Sequence, residues 1–172
     1  GGNVTLDGVV PEHLSSLIAK MSKTACKVIC KNDKISVRSK GRLKSLERID
    51  TMYYPGFPTD LQTQIMALQT ISRGTSVIAE NIFETRFKTV PQLIKMGADI
   101  TVRDRTAVVR GVPGLHGAEV HATDLRGGAS LVLAGLAAEG RTEVKDIYHI
   151  DRGYEDMAPV LSGLGANITR VV

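Results

Sequence analysis

Apolar and polar positions fall into two periods along the chain. Apolar residues close-spaced in Leu61-Gln-Thr-Gln-Ile-Met-Ala-Leu-Gln-Thr-Ile-Ser72 and in Ala129-Ser-Leu-Val-Leu-Ala-Gly-Leu-Ala-Ala138 predict helices over 61–72 and 129–138. Strand patterns cover 46–50 and 75–79, a third helix spans about 86–96, and the runs at 100–103 and 106–109 predict a hairpin around Asp104. The order is βαβαββ. The segment 129–138 is small and apolar nearly all round, which predicts a helix buried on most faces.

The pattern repeats. Gly74-Thr-Ser-Val-Ile-Ala79 and Gly140-Arg-Thr-Glu-Val-Lys145 are alike at an offset of 140 − 74 = 66, and the same offset aligns Asp60 with Arg126 and Arg86 with Arg152. An opening copy consists of strand 2–6, a helix from Pro11 to Ser22, the Cys26 strand and Ile35-Ser-Val-Arg38. The predicted fold is therefore α/β (α+β): one lobe over residues 1–172, an inside-out α/β barrel of three βαβαββ copies at about 1–45, 46–112 and 113–172. Helices lie inside and sheets outside. The first copy lacks its first half, and the last ends at Val172 after one hairpin strand. Gly97 and Gly165 read as C′ glycines, Asp60 as an N-cap and Pro11 as a first-turn proline.

A length of 172 residues suits about one domain, and 42% hydrophobic residues supply its core. A net charge of +4 weakly favours anionic partners. Three Phe, four Tyr and no Trp do not furnish the stacking platform that nucleic acid needs. No run approaches the roughly 20 apolar residues of a membrane span, and the amino end lacks a signal-peptide pattern, so the expectation is a soluble cytoplasmic protein binding neither membrane nor nucleic acid. Cys26 and Cys30 on one strand would stand roughly 13 Å apart, too far for a disulfide. His13, His116, His121 and His149 lack zinc-type spacing, and His121 and His149 sit in strand-like text as packing or surface residues.

The repeat gathers four charged residues, Asp60, Arg86, Arg126 and Arg152, at equivalent places near helix N-termini. Such ends favour anions, and guanidinium forks add fixed charge suited to carboxylate or phosphate. The plainer alternatives are salt bridges from Arg126 to Asp124 and from Arg152 to Asp151, and a capping role for Asp60. Otherwise Asp60, at the end of a loop with two prolines and a glycine, is a candidate general base.

Four segments, Tyr54-Pro-Gly-Phe-Pro-Thr-Asp60-Leu-Gln, Glu80-Asn-Ile-Phe-Glu-Thr-Arg86-Phe, Ala122-Thr-Asp-Leu-Arg126 and Ile147-Tyr-His-Ile-Asp-Arg152-Gly-Tyr, resemble the UDP-N-acetylglucosamine 1-carboxyvinyltransferases, bacterial enolpyruvyl transferases of peptidoglycan synthesis. The resemblance implies two lobes with substrates between them, this chain being most of the second. It implies Asp60 as base at the sugar's 3-hydroxyl, Ile82 touching the nucleotide sugar through its backbone, Arg126 and Arg152 gripping phosphoenolpyruvate, and Arg86 holding the charged cleft. Asp124 and Phe83 would support them. No cofactor or metal is implied. The partners are the two substrates and the first lobe, which carries the proton-donating cysteine, so the isolated chain is expected to be inactive. Cys26 and Cys30 do not match that cysteine. Gly127-Gly128, where a small helix former is expected, would loosen the loop holding Arg126. A non-catalytic anion or nucleotide-sugar binding domain, and a functionally silent structural fragment, are the competing readings.

Overall fold

The computed structural model describes residues 2–171. Strands β1 (Gly2–Leu6), β2 (Lys27–Lys31) and β3 (Lys34–Ser39) make an antiparallel sheet in the order β1-β3-β2. A 3-10 turn at Pro11–Leu14 and helix α1 (Ser15–Ser22) connect β1 to β2. Strands β4 (Arg48–Asp50), β5 (Thr75–Ala79), β6 (Asp99–Arg103) and β7 (Thr106–Arg110) form a second sheet, ordered β4-β5-β7-β6. Here β4 runs parallel to β5 and the other pairs are antiparallel. Asp104 takes φ 51° in the tight β6–β7 turn, a conformation that its short polar side chain tolerates.

Two short parallel pairs complete the strands: β8 (Leu115–His116) with β10 (Ala138–Glu139), and β9 (Glu119–His121) with β11 (Glu143–Lys145). A parallel pair requires a crossover. Helix α2 (Gln62–Thr70), entered through a 3-10 turn at Thr59–Leu61, crosses from β4 to β5; α4 (Leu125–Ala137) crosses from β9 to β11. Helix α3 (Val90–Lys95) follows a 3-10 turn at Arg86–Thr89, and α5 (Tyr148–Asp151) and α6 (Met157–Gly163) close the order.

The core lies where α2 packs on the four-stranded sheet and α4 packs against α2, with Ile49, Met66, Ile78, Leu93, Met96, Val109, Val120 and Leu131 fully buried. Each such aliphatic side chain contributes about 1.5–3 kcal/mol. Helix α2 buries polar residues as well, because it is enclosed on most sides. Its Gln69 Oε1 accepts from Leu46 N–H at 2.8 Å and from Ser76 Oγ at 2.8 Å, which tethers the helix to both parallel strands' approaches. Gly97 and Gly165 take φ +92° and +90° just beyond α3 and α6, where a Cβ would be strained.

Several expectations differ. Helix α4 begins at Leu125 rather than 129, and it is not buried nearly all round: Gly127 to Leu131 and Ala134 are buried, whereas Leu133 and Leu136 are exposed. His149 lies in α5, not in a strand. The expected last strand does not form: residues 167–171 are irregular and pair with no described strand, and Val172 lies outside the described residues. No described helix is long and apolar enough to cross a membrane.

Candidate functional site

Asp60, Arg86 and Arg126 meet at one point. The loop before Asp60 is pinned by Met52 N–H donating to Phe57 carbonyl at 2.9 Å, with the Phe57 side chain buried, so the 3-10 turn at Thr59–Leu61 holds Asp60 at a fixed place. Asp60 caps no helix. Its Oδ1 accepts from Arg86 Nη2 at 3.2 Å and its Oδ2 from Arg126 Nη2 at 2.9 Å. Two guanidinium groups in reach make stronger bonds to a carboxylate than the amides of a short 3-10 turn. The Asp60 side chain remains 55% exposed, so the pairs sit on an open rim.

Arg86 is the buried member, its side chain 7% exposed. Its Nε donates to Thr59 Oγ1 at 3.2 Å, and its guanidinium carbon lies 4.5 Å from the centroid of the exposed Phe83 ring. Phe83 therefore shields one face of the cation. Arg126 is the more open of the two arginines, 29% exposed, donating from Nη1 to Tyr154 OH at 3.1 Å. The hydrogen bond from Arg126 to Asp60 raises its already high pKa, partial burial opposes this, and Tyr154 adds to it.

Asp124 serves the backbone instead of the Arg126 side chain. Its Oδ1 accepts from Arg126 N–H and Gly127 N–H, both at 2.9 Å, and so caps α4. Arg126 thus rides on the first turn of a capped helix. Gly127 and Gly128 are buried within that turn and do not loosen it: a Cβ on Gly127 would stand 2.7 Å from Thr123 Oγ1, and one on Gly128 would stand 2.6 Å from Ile150 Cγ1. The glycines allow α5 to pack closely.

Arg152 stands apart. It follows the end of α5, contrary to the expected helix N-terminus, and its exposed side chain makes no hydrogen bond or ion pair to another described residue. Asp151 pairs with Arg170 at 2.9 and 2.7 Å rather than with its neighbour. Tyr154, two residues on, is the contact between this segment and Arg126. Ile82 is half-buried; its N–H donates to Glu80 Oε1 at 2.9 Å, and no described donor reaches its carbonyl.

Sequence patterning missed Glu80, Thr59 and Tyr154. All three lie within or beside the quoted segments, but only the fold shows Glu80 to be buried and Tyr154 to face Arg126 from 28 residues away.

A family model described as EPSP synthase (3-phosphoshikimate 1-carboxyvinyltransferase) matches residues 1–161. The chain belongs to the EPSP synthase family. Within that family, a UDP-N-acetylglucosamine 1-carboxyvinyltransferase of Myxococcus xanthus is 53% identical over 170 residues, covering 99% of this chain and 40% of the relative. The protein of the same name from Magnetococcus marinus is 52% identical over 172 residues, 99% of this chain and 41% of the relative. This EPSP synthase family chain spans about 40% of the length of these curated relatives. The enolpyruvyl transferase NikO from Streptomyces tendae superposes with a TM-score of 0.88 at 29% identity, over 98% of this chain and 39% of that one. EPSP synthase from Acinetobacter baumannii, at 18% identity and a TM-score of 0.65 over 90% of this chain and 39% of that one, shares the fold. The expected resemblance and fold class are borne out.

Proposed function

We propose that this chain supplies the second lobe of a cytoplasmic enzyme that transfers the enolpyruvyl group of phosphoenolpyruvate to the 3-hydroxyl of UDP-N-acetylglucosamine. The supporting observation is the sharing of one exposed carboxylate, Asp60, between Arg86 and Arg126. In this arrangement both oxygens of Asp60 are already engaged by guanidinium groups, Oδ1 by Arg86 and Oδ2 by Arg126. An anionic substrate that draws Arg126 away leaves Oδ2 open to a hydroxyl, so binding of the phosphoenolpyruvate carboxylate or phosphate prepares the base.

The hydroxyl oxygen then bonds to C2 of the enolpyruvyl group as its proton passes to Asp60, and C3 takes a proton from the other lobe. Loss of a C3 proton with departure of phosphate restores the double bond. Arg126, with Arg152 swung inward, would balance the substrate's negative charge, while the Ile82 carbonyl offers an acceptor to the nucleotide sugar. The reaction needs both lobes, and the chain alone is inactive in this reading.

The test is titration with UDP-N-acetylglucosamine and phosphoenolpyruvate, with and without the remaining portion of the Myxococcus xanthus relative, following phosphate release. Release by the joined pair alone supports the proposal. Ligand binding by the pair without release points to the non-catalytic binding domain, and neither binding nor release to a silent fragment.

A further inference from the structure

Glu80 is 1% exposed and its carboxylate forms no ion pair with a described residue, yet both of its oxygens are engaged. Oε1 accepts from Thr51 Oγ1 at 2.8 Å and from the N–H groups of Ile82 and Phe83, each at 2.9 Å; Oε2 accepts from Thr59 Oγ1 at 3.0 Å. Its backbone is clamped as well: Glu80 N–H donates to Arg105 carbonyl at 2.8 Å, and Arg105 Nε donates to Glu80 carbonyl at 2.9 Å. The carboxylate therefore projects from a fixed origin at the end of β5.

Direction matters here. Thr59 Oγ1 accepts from Arg86 Nε, so its own proton goes to Glu80, and the line runs Arg86 to Thr59 to Glu80. Every bond at the Glu80 side chain is an acceptor's bond. A carboxylate satisfies four donors, whereas a carboxamide of the same shape brings two donors of its own and must break with some of them.

We infer that Glu80 is a positioning residue for the transfer reaction, setting the Ile82–Phe83 backbone and, through Thr59, the placement of Arg86 against Asp60; the inference rests on the function proposed above. It touches no reacting atom. One arm ends on Ile82, assigned to the nucleotide sugar, and the other runs through Thr59 and Arg86 to Asp60, assigned to that sugar's 3-hydroxyl, so its loss should act on that substrate more than on phosphoenolpyruvate.

The test uses Glu80→Gln and Thr59→Val, first in the 172-residue chain by amide hydrogen exchange. Glu80→Gln should lower protection of the Ile82 and Phe83 amides at least tenfold while amides of β7 keep theirs, and Thr59→Val should leave the Ile82 and Phe83 amides protected. Unchanged protection at Ile82 and Phe83 in Glu80→Gln overturns the inference. If the Gln variant does not fold, Thr59→Val decides through the second readout. With the chain joined to the remaining portion of the relative, both variants should raise KM for UDP-N-acetylglucosamine severalfold or more and leave KM for phosphoenolpyruvate within twofold. Equal effects on both substrates, or none, overturn it. An inactive unsubstituted pair refutes the transferase reading instead, and the exchange data still judge the geometry.

Discussion

Asp60 and Arg126, 66 residues apart, join carboxylate to guanidinium at 2.9 Å. That separation equals the sequence offset relating Gly74 to Gly140, so the two residues at matched places in the lettering are direct partners in space. The loop before α2 and the first turn of α4 meet because these two helices pack side by side, with Thr63 Oγ1 donating to the Arg126 carbonyl at 3.0 Å. One element brings the carboxylate, the other its counter-ion.

Replacing Asp60 by Asn should separate stability from function. The carboxylate is more than half exposed, but Arg86 beside it is 7% exposed and loses its counter-ion, so unfolding free energy should fall by about 1–3 kcal/mol in a denaturant titration while the chain still folds. With both lobes present, phosphate release should fall about 10²–10⁴-fold, the range for removing a general base. Activity within tenfold of the parent would refute the base assignment.

Gly128→Ala sets two effects of opposite sign against each other. Ala is favoured over Gly by about 1 kcal/mol in a helix interior, but the new Cβ would meet Ile150 Cγ1 at 2.6 Å and Ala122 Cβ at 2.9 Å. Neither neighbour can easily give way in the packed turn. Overpacking of about 1–3 kcal/mol should prevail, lowering Tm, and a second change, Ile150→Ala, should cost less in the Gly128→Ala background than in the parent. A raised Tm for Gly128→Ala alone would show that α5 yields freely.

The two thiols should differ in reactivity. Cys26 is buried and Cys30 exposed; burial pushes the Cys26 thiol up, only partly offset by a backbone hydrogen bond from Arg38. A raised thiol pKa leaves less thiolate at mildly alkaline pH, so iodoacetamide should modify Cys30 first, with Cys26 following upon unfolding or at higher pH. Mass spectrometry of partially alkylated protein reads this directly.

Elements set by local pattern were legible before any coordinates. The Asp104 hairpin, the strand before it and the glycines at 97 and 165 follow from alternation and from backbone conformations that few residues tolerate. Residues 167–171 show the limit, since a strand-like run stays irregular and pairs with no described strand. Asp60 shows another: a good capping residue gave up that role because two arginines from distant segments reach it. Glu80 left no local trace, as a single acid at a strand end carries no period and its donors come from Thr51, Thr59 and the following turn.

Tyr154 offers the sharpest separation of ligand binding from folding. Its hydroxyl accepts from Arg126 Nη1 at 3.1 Å and from Gln64 Nε2 at 3.3 Å, and the guanidinium carbon lies 5.6 Å from its ring centroid. Tyr154→Phe keeps the ring and removes the acceptor shared by both donors. Arg126 then retains Asp60 as its only side-chain acceptor among the described residues, which tightens the pair that an anion must open. Affinity for phosphoenolpyruvate should therefore fall about three- to tenfold, the scale of one charge-assisted hydrogen bond partly compensated by water, while Tm shifts little. Isothermal titration of the two-lobe protein measures the first quantity. Tighter phosphoenolpyruvate binding in Tyr154→Phe would mean that Tyr154 restrains Arg126 from the ligand, and the order of events proposed for freeing Asp60 would have to be reversed.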